Sequence, residues 1–266
     1  MSKITEAFQN KKAFIPFITC GDPDLETTKK LVLAMAQAGA DIIELGIPFS
    51  DPTAEGPVIQ EANERALSGG VTTDKILEMV KELRSEIETP LVFMTYANVV
   101  FSYGSHEKRD IEGGTEQFLK KAAEAGINGL ILPEVPFEEK GDFAPLCRKY
   151  GIDYISLIAP TSHDRIKMIA GEAEGFVYCV SSLGVTGVRS KITTDIGAMT
   201  ELVHSVTKVP AAVGFGISTP EQAKEIAKGA EGIIVGSAIV KLIAKYGRES
   251  VPYVADYVRS MKEAIS

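Results

Sequence analysis

The sequence predicts a (β/α)₈ TIM barrel, and three observations carry that expectation. Eight short apolar runs alternate with longer stretches whose apolar residues recur at helical spacing. The runs are flanked by Gly, Pro or Asp, and several are rich in Val and Ile, as suits strands buried on both faces of a parallel sheet. The 266 residues match the roughly 250 that such a barrel takes. An open doubly wound sheet is the rival, but that fold usually announces itself with a Gly-x-Gly-x-x-Gly turn after its first strand. Here the first run ends in Cys20-Gly21-Asp22-Pro23. Right-handed crossovers leave few other ways to order so many parallel strands. Nothing resembling a linker or a repeat marks a second domain, so residues 1–266 read as a single barrel domain.

In chain order, the expected strands are Phe14–Thr19, Ile42–Leu45, Leu91–Thr95, Gly129–Leu132, Tyr154–Ile158, Phe176–Val180, Ala211–Phe215 and Ile233–Val235. The first helix is Leu25–Ala38, stopped by Gly39. Thr73–Ile87 opens on a Thr-Thr-Asp cap and carries Ile76, Leu77, Met79, Val80 and Leu83. Thr115–Ala125, Phe137–Tyr150 and Ser162–Ala170 each end at a glycine. Ser218-Thr219-Pro220-Glu221 combines a cap with Pro in the first turn of a helix that ends before Gly229. Ser237–Tyr246 and Ser250–Ile265 close the chain. The charged stretch Ser105–Gly114 reads as the one insertion, and Met1–Lys12 as a polar lead-in.

A net charge of −8 argues against nucleic acid and acidic membranes as partners. It leaves small anions open, because backbone amides bind phosphate in acidic proteins too. The three cysteines, Cys20, Cys147 and Cys179, lack Cys-x-x-Cys spacing. No secretory core follows Met1 and no apolar run is long enough to span a bilayer, so a reduced cytoplasmic setting is expected. The three histidines, His106, His163 and His204, show no metal-ligand spacing, and no metal is expected.

Barrel chemistry sits at the C-terminal ends of the strands. In Asp41-Ile42-Ile43-Glu44-Leu45-Gly46, strand alternation sends Ile43 and Leu45 outward to the helices and Glu44 inward near the mouth. A poorly solvated carboxyl there gains a raised pKa and could serve as a general acid. A structural carboxylate capped by backbone amides fits the same position equally well. The long loop Ile47–Pro57 adds Asp51 and Glu55, each of which alone reads as a solvated charge. Ser181–Gly187 suits a mobile lid or a plain glycine turn. Gly214-Phe215-Gly216-Ile217-Ser218 and Val235-Gly236-Ser237-Ala238 end the last two strands. Paired glycine turns there, one opening a helix, favour a phosphate-bearing ligand over simple tight turns.

Taken together, these residues resemble the tryptophan synthase α subunit family over nearly the whole chain. The blocks are Phe14–Thr19 with Gly21-Asp22-Pro23, Glu44–Pro52, Met94–Asn98, Gly184–Gly187, Gly214–Ser218 and Val235–Val240. The resemblance implies a lyase that cleaves indole-3-glycerol phosphate to indole and glyceraldehyde 3-phosphate without a cofactor. Glu44 matches the general acid and base, and Glu55 the second catalytic carboxylate, which accepts a hydrogen bond from the indole N–H. Thr186 matches the lid residue that orients that carboxylate. Phe17, Thr19, Tyr96, Tyr178 and Phe215 match residues around the substrate or lid. Gly187, Gly216, Gly236 and Ser237 match the phosphate cradle. A β subunit partner in an α₂β₂ heterotetramer is implied as well. This sequence carries Glu55 and Glu134 where the family more often has Asp, and Ser105–Gly114 is longer than usual. The other functions weighed are another phosphate-binding barrel, a feebly catalytic regulatory subunit and a stand-alone indole-producing lyase.

Overall fold

The computed structural model describes residues 1–104, 111–180, 195–214 and 216–266. Nine parallel segments form the sheet among them: β1 (Ala13–Thr19), β2 (Ile43–Gly46), β3 (Leu91–Met94), β4 (Gly129–Ile131), β5 (Asp153–Tyr154), β6 (Ser156–Ile158), β7 (Val177–Val180), β8 (Ala211–Gly214) and β9 (Gly232–Val235). Their order is β5-β4-β3-β2-β1-β9-β8-β7-β6. β5 and β6 are separated only by Ile155, whose N–H still donates to Leu130 O at 2.9 Å. They are two halves of one bent strand, so the nine segments occupy eight barrel positions and the circuit closes. The (β/α)₈ expectation holds.

The helices around this sheet are α1 (Lys3–Glu6), α2 (Leu25–Gln37), α3 (Pro57–Ser68), α4 (Thr73–Leu83), α5 (Ala97–Phe101), α6 (Ile111–Ala125), α7 (Ala144–Lys149), α8 (His163–Gly171), α9 (Ile196–His204), α10 (Pro220–Ile226), α11 (Ser237–Tyr246) and α12 (Ser250–Ile265). Caps foreseen in the sequence are present. The Thr72 hydroxyl accepts the Lys75 N–H to start α4, and Thr219 and Gln222 form a reciprocal capping box on α10.

Several boundaries depart from the expectations. α3 was not foreseen, because its opening Pro57 sits at the end of a loop dense in Pro and Gly. Ile111–Gly114 is not inserted loop but the first turn of α6; residues 105–110 lie outside the described residues. The expected helix Phe137–Tyr150 is broken at Phe143 (φ −120°, ψ −48°) into a 3₁₀ turn over Phe137–Asp142 and then α7. The helix expected to reach Ile87 stops at Leu83. Met1–Lys12 is more than a polar lead-in, since it contributes α1, and Ile4 and Phe8 are buried in the barrel interior.

Strand alternation sorts the core into two layers. Phe14, Ile18, Ile43, Leu45 and Phe93 pack outward beneath the helices. Ala13, Ile15, Phe17, Val92, Met94, Ile155, Tyr178 and Ile234 fill the interior. The Phe8 ring lies 5.8 Å from that of Phe176 and helps close the N-terminal end of the barrel.

One ionic cluster fastens the last helix to the first strands. Asp41 is almost wholly buried just before β2. Its carboxylate accepts the Phe14 N–H at 2.8 Å and pairs with Lys262 of α12 at 2.7 Å and Lys11 at 2.6 Å. Lys262 also donates to Lys12 O at 2.8 Å. A buried carboxylate is tolerated only when its oxygens are satisfied, and removing it strands its partners. Asp41→Ala is therefore expected to lower unfolding free energy by about 3 kcal/mol while leaving far-UV circular dichroism unchanged, which urea titration would measure.

Candidate active site

At the C-terminal ends of the strands lies a cavity open to solvent and lined by Phe17, Glu44, Glu55, Ile59, Met94, Tyr178, Gly216, Ile217, Ile234, Gly236 and Ser237. The walls come from inward strand positions, from segments at strand ends and, for Ile59, from α3. Phe17 stands opposite Glu44 in the β1–β2 register. Its ring needs the bare backbone of Gly46, because a Cβ there would lie 2.7 Å from Phe17 Cζ. Likewise a Cβ on Gly214 would lie 2.6 Å from the Tyr178 hydroxyl. The two glycines thus make room for the two aromatic rings that flank the acid.

Glu44 is 1% exposed, and neither carboxylate oxygen has a hydrogen-bond partner among the described residues. The structural alternative, a carboxylate capped by backbone amides, is therefore overturned. Burial, helped by the nearby charge of Glu55, pushes its pKa up to about 8. Such a group is a neutral acid at neutral pH, able to give a proton and take it back.

Glu55 is 6% exposed, which overturns its reading in isolation as a solvated loop charge; Asp51, four residues earlier, is exposed as expected. The segment is fixed at several points. The Ala54 N–H donates to the Tyr96 hydroxyl at 3.1 Å, Gln60 Nε2 donates to Glu55 O at 2.7 Å, and Asn63 Nδ2 donates to Glu55 Oε2 at 2.7 Å. Burial pushes the Glu55 pKa up to about 7, against the opposing pull of the Asn63 hydrogen bond. Glu55 thus gives up its proton before Glu44 does, and its charge then helps to keep Glu44 protonated.

Across the cavity, α11 begins at Gly236 with no side-chain cap. The N-terminal end of such a helix presents N–H groups and the positive end of its dipole, which favour a negative charge. Gly216, at φ +84°, contributes backbone to the same wall.

Of the residues singled out in the sequence, Phe17, Glu44, Glu55, Tyr178, Gly216, Gly236 and Ser237 line this one cavity. Thr19 is buried two residues beyond Phe17 on β1, and its hydroxyl has no partner among the described residues, yet it does not line the cavity. Tyr96 lies beneath the Glu55 loop, its ring 5.1 Å from that of Phe49, and supports the site from behind. Thr186, Gly187 and Phe215 lie outside the described residues. Glu134 accepts the Ala97 N–H at 2.6 Å and so satisfies the start of α5. Ile59, Met94, Ile217 and Ile234 were not foreseen as walls. Parity along β3 and β9 could have revealed Met94 and Ile234, whereas Ile59 stands on the unforeseen α3.

Fold and site together define a (β/α)₈ barrel whose strand ends carry two sheltered carboxyls across a cavity from a helix N-terminus. The family model described as tryptophan synthase alpha chain matches residues 4–266. A tryptophan synthase alpha chain of Lacticaseibacillus casei is 46% identical over 265 residues, covering 100% of this chain and 96% of that protein. One from Thermoanaerobacter is 47% identical over 272 residues, with 100% of each chain covered. Among solved structures, tryptophan synthase subunit alpha from Legionella pneumophila superposes with a TM-score of 0.87 at 36% identity, covering 100% of this chain and 98% of that one. The chain belongs to the tryptophan synthase alpha chain family. It is a lyase with the alpha-subunit role in tryptophan biosynthesis.

The raised pKa of Glu44 has a consequence for stability. Folding favours its protonated form, so this contribution to stability is complete below the ordinary value of 4.5 and lost as pH rises through about 8. Glu44→Gln removes that dependence. At pH 9 the variant is expected to be more stable than the parent by on the order of 2–4 kcal/mol, and near pH 4 by little. Thermal unfolding at both pH values checks this, and an equal change at the two would contradict it.

Proposed function

We propose that this chain performs retro-aldol cleavage of indole-3-glycerol phosphate to indole and glyceraldehyde 3-phosphate, with Glu44 as general acid and base and Glu55 as the second catalytic carboxylate. The observation that carries this reading is Glu44 itself, a buried acid without a hydrogen-bond partner among the described residues, on the wall of a cavity whose far side is a helix N-terminus.

The reaction makes three demands. The indole carbon bearing the side chain must gain a proton, which turns the ring into a cation. The side-chain hydroxyl next to it must lose a proton as the carbon–carbon bond breaks and its electrons return to the ring. The phosphate must be held so that these atoms stay in place. Glu44 supplies the first proton and, as carboxylate, accepts the second, so it ends each turnover as it began. Glu55, ionised earlier, accepts a hydrogen bond from the indole N–H while positive charge develops there. Phe17, Tyr178, Met94, Ile59 and Ile234 offer the indole an apolar slot. Gly216, Gly236 and Ser237, with Gly187, bind the phosphate. Thr186 orients Glu55, and Thr19, Tyr96 and Phe215 shape the substrate's surroundings. No cofactor enters these steps.

Residues 1–266 act as one barrel domain in this proposal, in the cytoplasm. The partner is a β subunit that receives indole within an α₂β₂ assembly. Support comes from the similarity to a chain of the tryptophan synthase complex from Pyrococcus furiosus, with a TM-score of 0.81 at 35% identity, covering 94% of this chain and 98% of that one. Gel filtration with a tryptophan synthase β chain should give a single co-eluting complex; separate elution of the two chains at micromolar concentration would count against the assembly.

Indole release should follow a bell-shaped pH profile in kcat/KM. It rises as Glu55 ionises near 7 and falls as Glu44 loses its proton near 8. Glu44→Gln should lower kcat by roughly 10²–10⁴-fold, and Glu55→Gln by roughly 10²–10³-fold, while both retain affinity for glycerol 3-phosphate. Normal turnover by either variant would refute its assigned role.

A further inference from the structure

The hydrogen bond that reaches Glu55 from α3 is not one that the strand or loop sequence announces. Asn63 is itself buried, one turn along α3 from Ile59, which lines the cavity. Its amide meets Glu55 Oε2 at 2.7 Å. Two residues further on, Arg65 forms a bidentate pair with the buried Asp22, Nε to Oδ1 and Nη2 to Oδ2, both at 2.8 Å. Asp22 follows β1, and its own N–H donates to Thr19 O. Two-point guanidinium–carboxylate pairing fixes orientation as well as distance. The loop after β1 thereby sets the position of α3, and α3 presents the amide that Glu55 meets.

We propose that Asn63 is a positioning residue for the Glu55 carboxylate, holding it on the cavity wall, and that the Arg65–Asp22 pair fixes the helix turn from which Asn63 acts. This rests on the reading of Glu55 as the second catalytic carboxylate. A carboxylate free to rotate would meet the indole N–H in only part of its conformations, and misplacement near 1 Å is enough to slow a reaction strongly. The titratable groups sharing these surroundings are Glu44 from β2, Tyr96 at the start of α5 and, close to Glu44, Tyr178 from β7. Burial raises both phenols above their ordinary value, so they stay neutral through the range where the acids titrate. Asn63 is the side-chain donor that favours the charged form of Glu55.

The test compares the full-length chain with Asn63→Leu, Asn63→Asp and Arg65→Lys, measuring indole released from indole-3-glycerol phosphate across pH 5–10. Asn63→Leu should lower kcat roughly tenfold to a hundredfold with KM changed less than threefold. Its acid limb should move about one unit to higher pH, because the lost donor no longer opposes the burial of Glu55. The near-isosteric Asn63→Asp places a second carboxyl against Glu55 and should move that limb in the same direction, so the inference stays testable if the leucine variant does not fold. Arg65→Lys should show a smaller loss of kcat with the same sense of shift. A fall in kcat with the acid limb unmoved would make Asn63 a mere packing residue and overturn the inference; unchanged kinetics would overturn it too. Failure of the parent chain to release indole would instead refute the proposed function, so the two failures are distinguishable.

Discussion

The desolvation of one carboxyl group governs the rest of this site. Glu44 lies among Phe17, Tyr178, Met94 and Ile234, and no described group satisfies its oxygens. An unpaired polar group in such surroundings opposes folding, and an ionised one opposes it far more. A protein with roughly 5–15 kcal/mol of net stability can keep such a group only if the structure around it is over-determined. The two-layer core, the closed circuit through β5 and β6, and the Asp41 cluster that ties α12 to the first strands supply that surplus. The contrast between Asp41 and Glu44 is instructive. Both are buried acids flanking the same strand, one at its entry and one near its exit. Asp41 accepts a backbone N–H and two lysines and is a fastening; Glu44 accepts nothing among the described residues and faces the cavity.

The second acid differs from the first by its donors. Both carboxyls are desolvated, but Asn63 favours the charged form of Glu55 alone. Deeper burial raises Glu44 further, and the Asn63 amide pulls Glu55 the other way. Once Glu55 is charged, its field keeps the proton on Glu44 over a wider range of pH. The roles proposed for them need opposite protonation states at one pH, and the difference in environment, not in residue type, supplies it.

Strand parity was the most legible part of this sequence. Hydrophobic alternation placed Ile43 and Leu45 outside and Glu44 inside, and the glycine turns after the last two strands marked Gly216, Gly236 and Ser237, which line the cavity. What escaped was whatever depends on contacts across the fold. Glu55 lies nine residues past the end of β2 at Gly46; along the chain it is simply a loop acid, and α3 meets it through Asn63. That helix was missed because Pro57 reads as loop, although Pro at the first helical position followed by Ile59, Ala62, Asn63 and Ala66 on one face is a helix signature. Thr19 shows the opposite limit. Parity puts it on the inner side of β1 with Phe17, but parity alone does not say how high in the barrel the cavity ends.

The two ends of the barrel are built for different tasks, and this asymmetry explains where function can lie. At the N-terminal end, Ile4 and Phe8 fill the interior, and the Asp41 cluster ties the approaches of the first strands to α12. Nothing there needs to open. At the C-terminal end, several groups that would otherwise crowd the interior have been reduced to hydrogen: at Gly46 and Gly214 any side chain would collide with the rings of Phe17 and Tyr178. Removing those methyl groups leaves the rings upright and keeps a space between them. Glycine at these strand ends therefore acts by close approach of backbone to ring, and the same economy that fits the aromatics against the strands is what leaves Glu44 facing a cavity rather than a packed core.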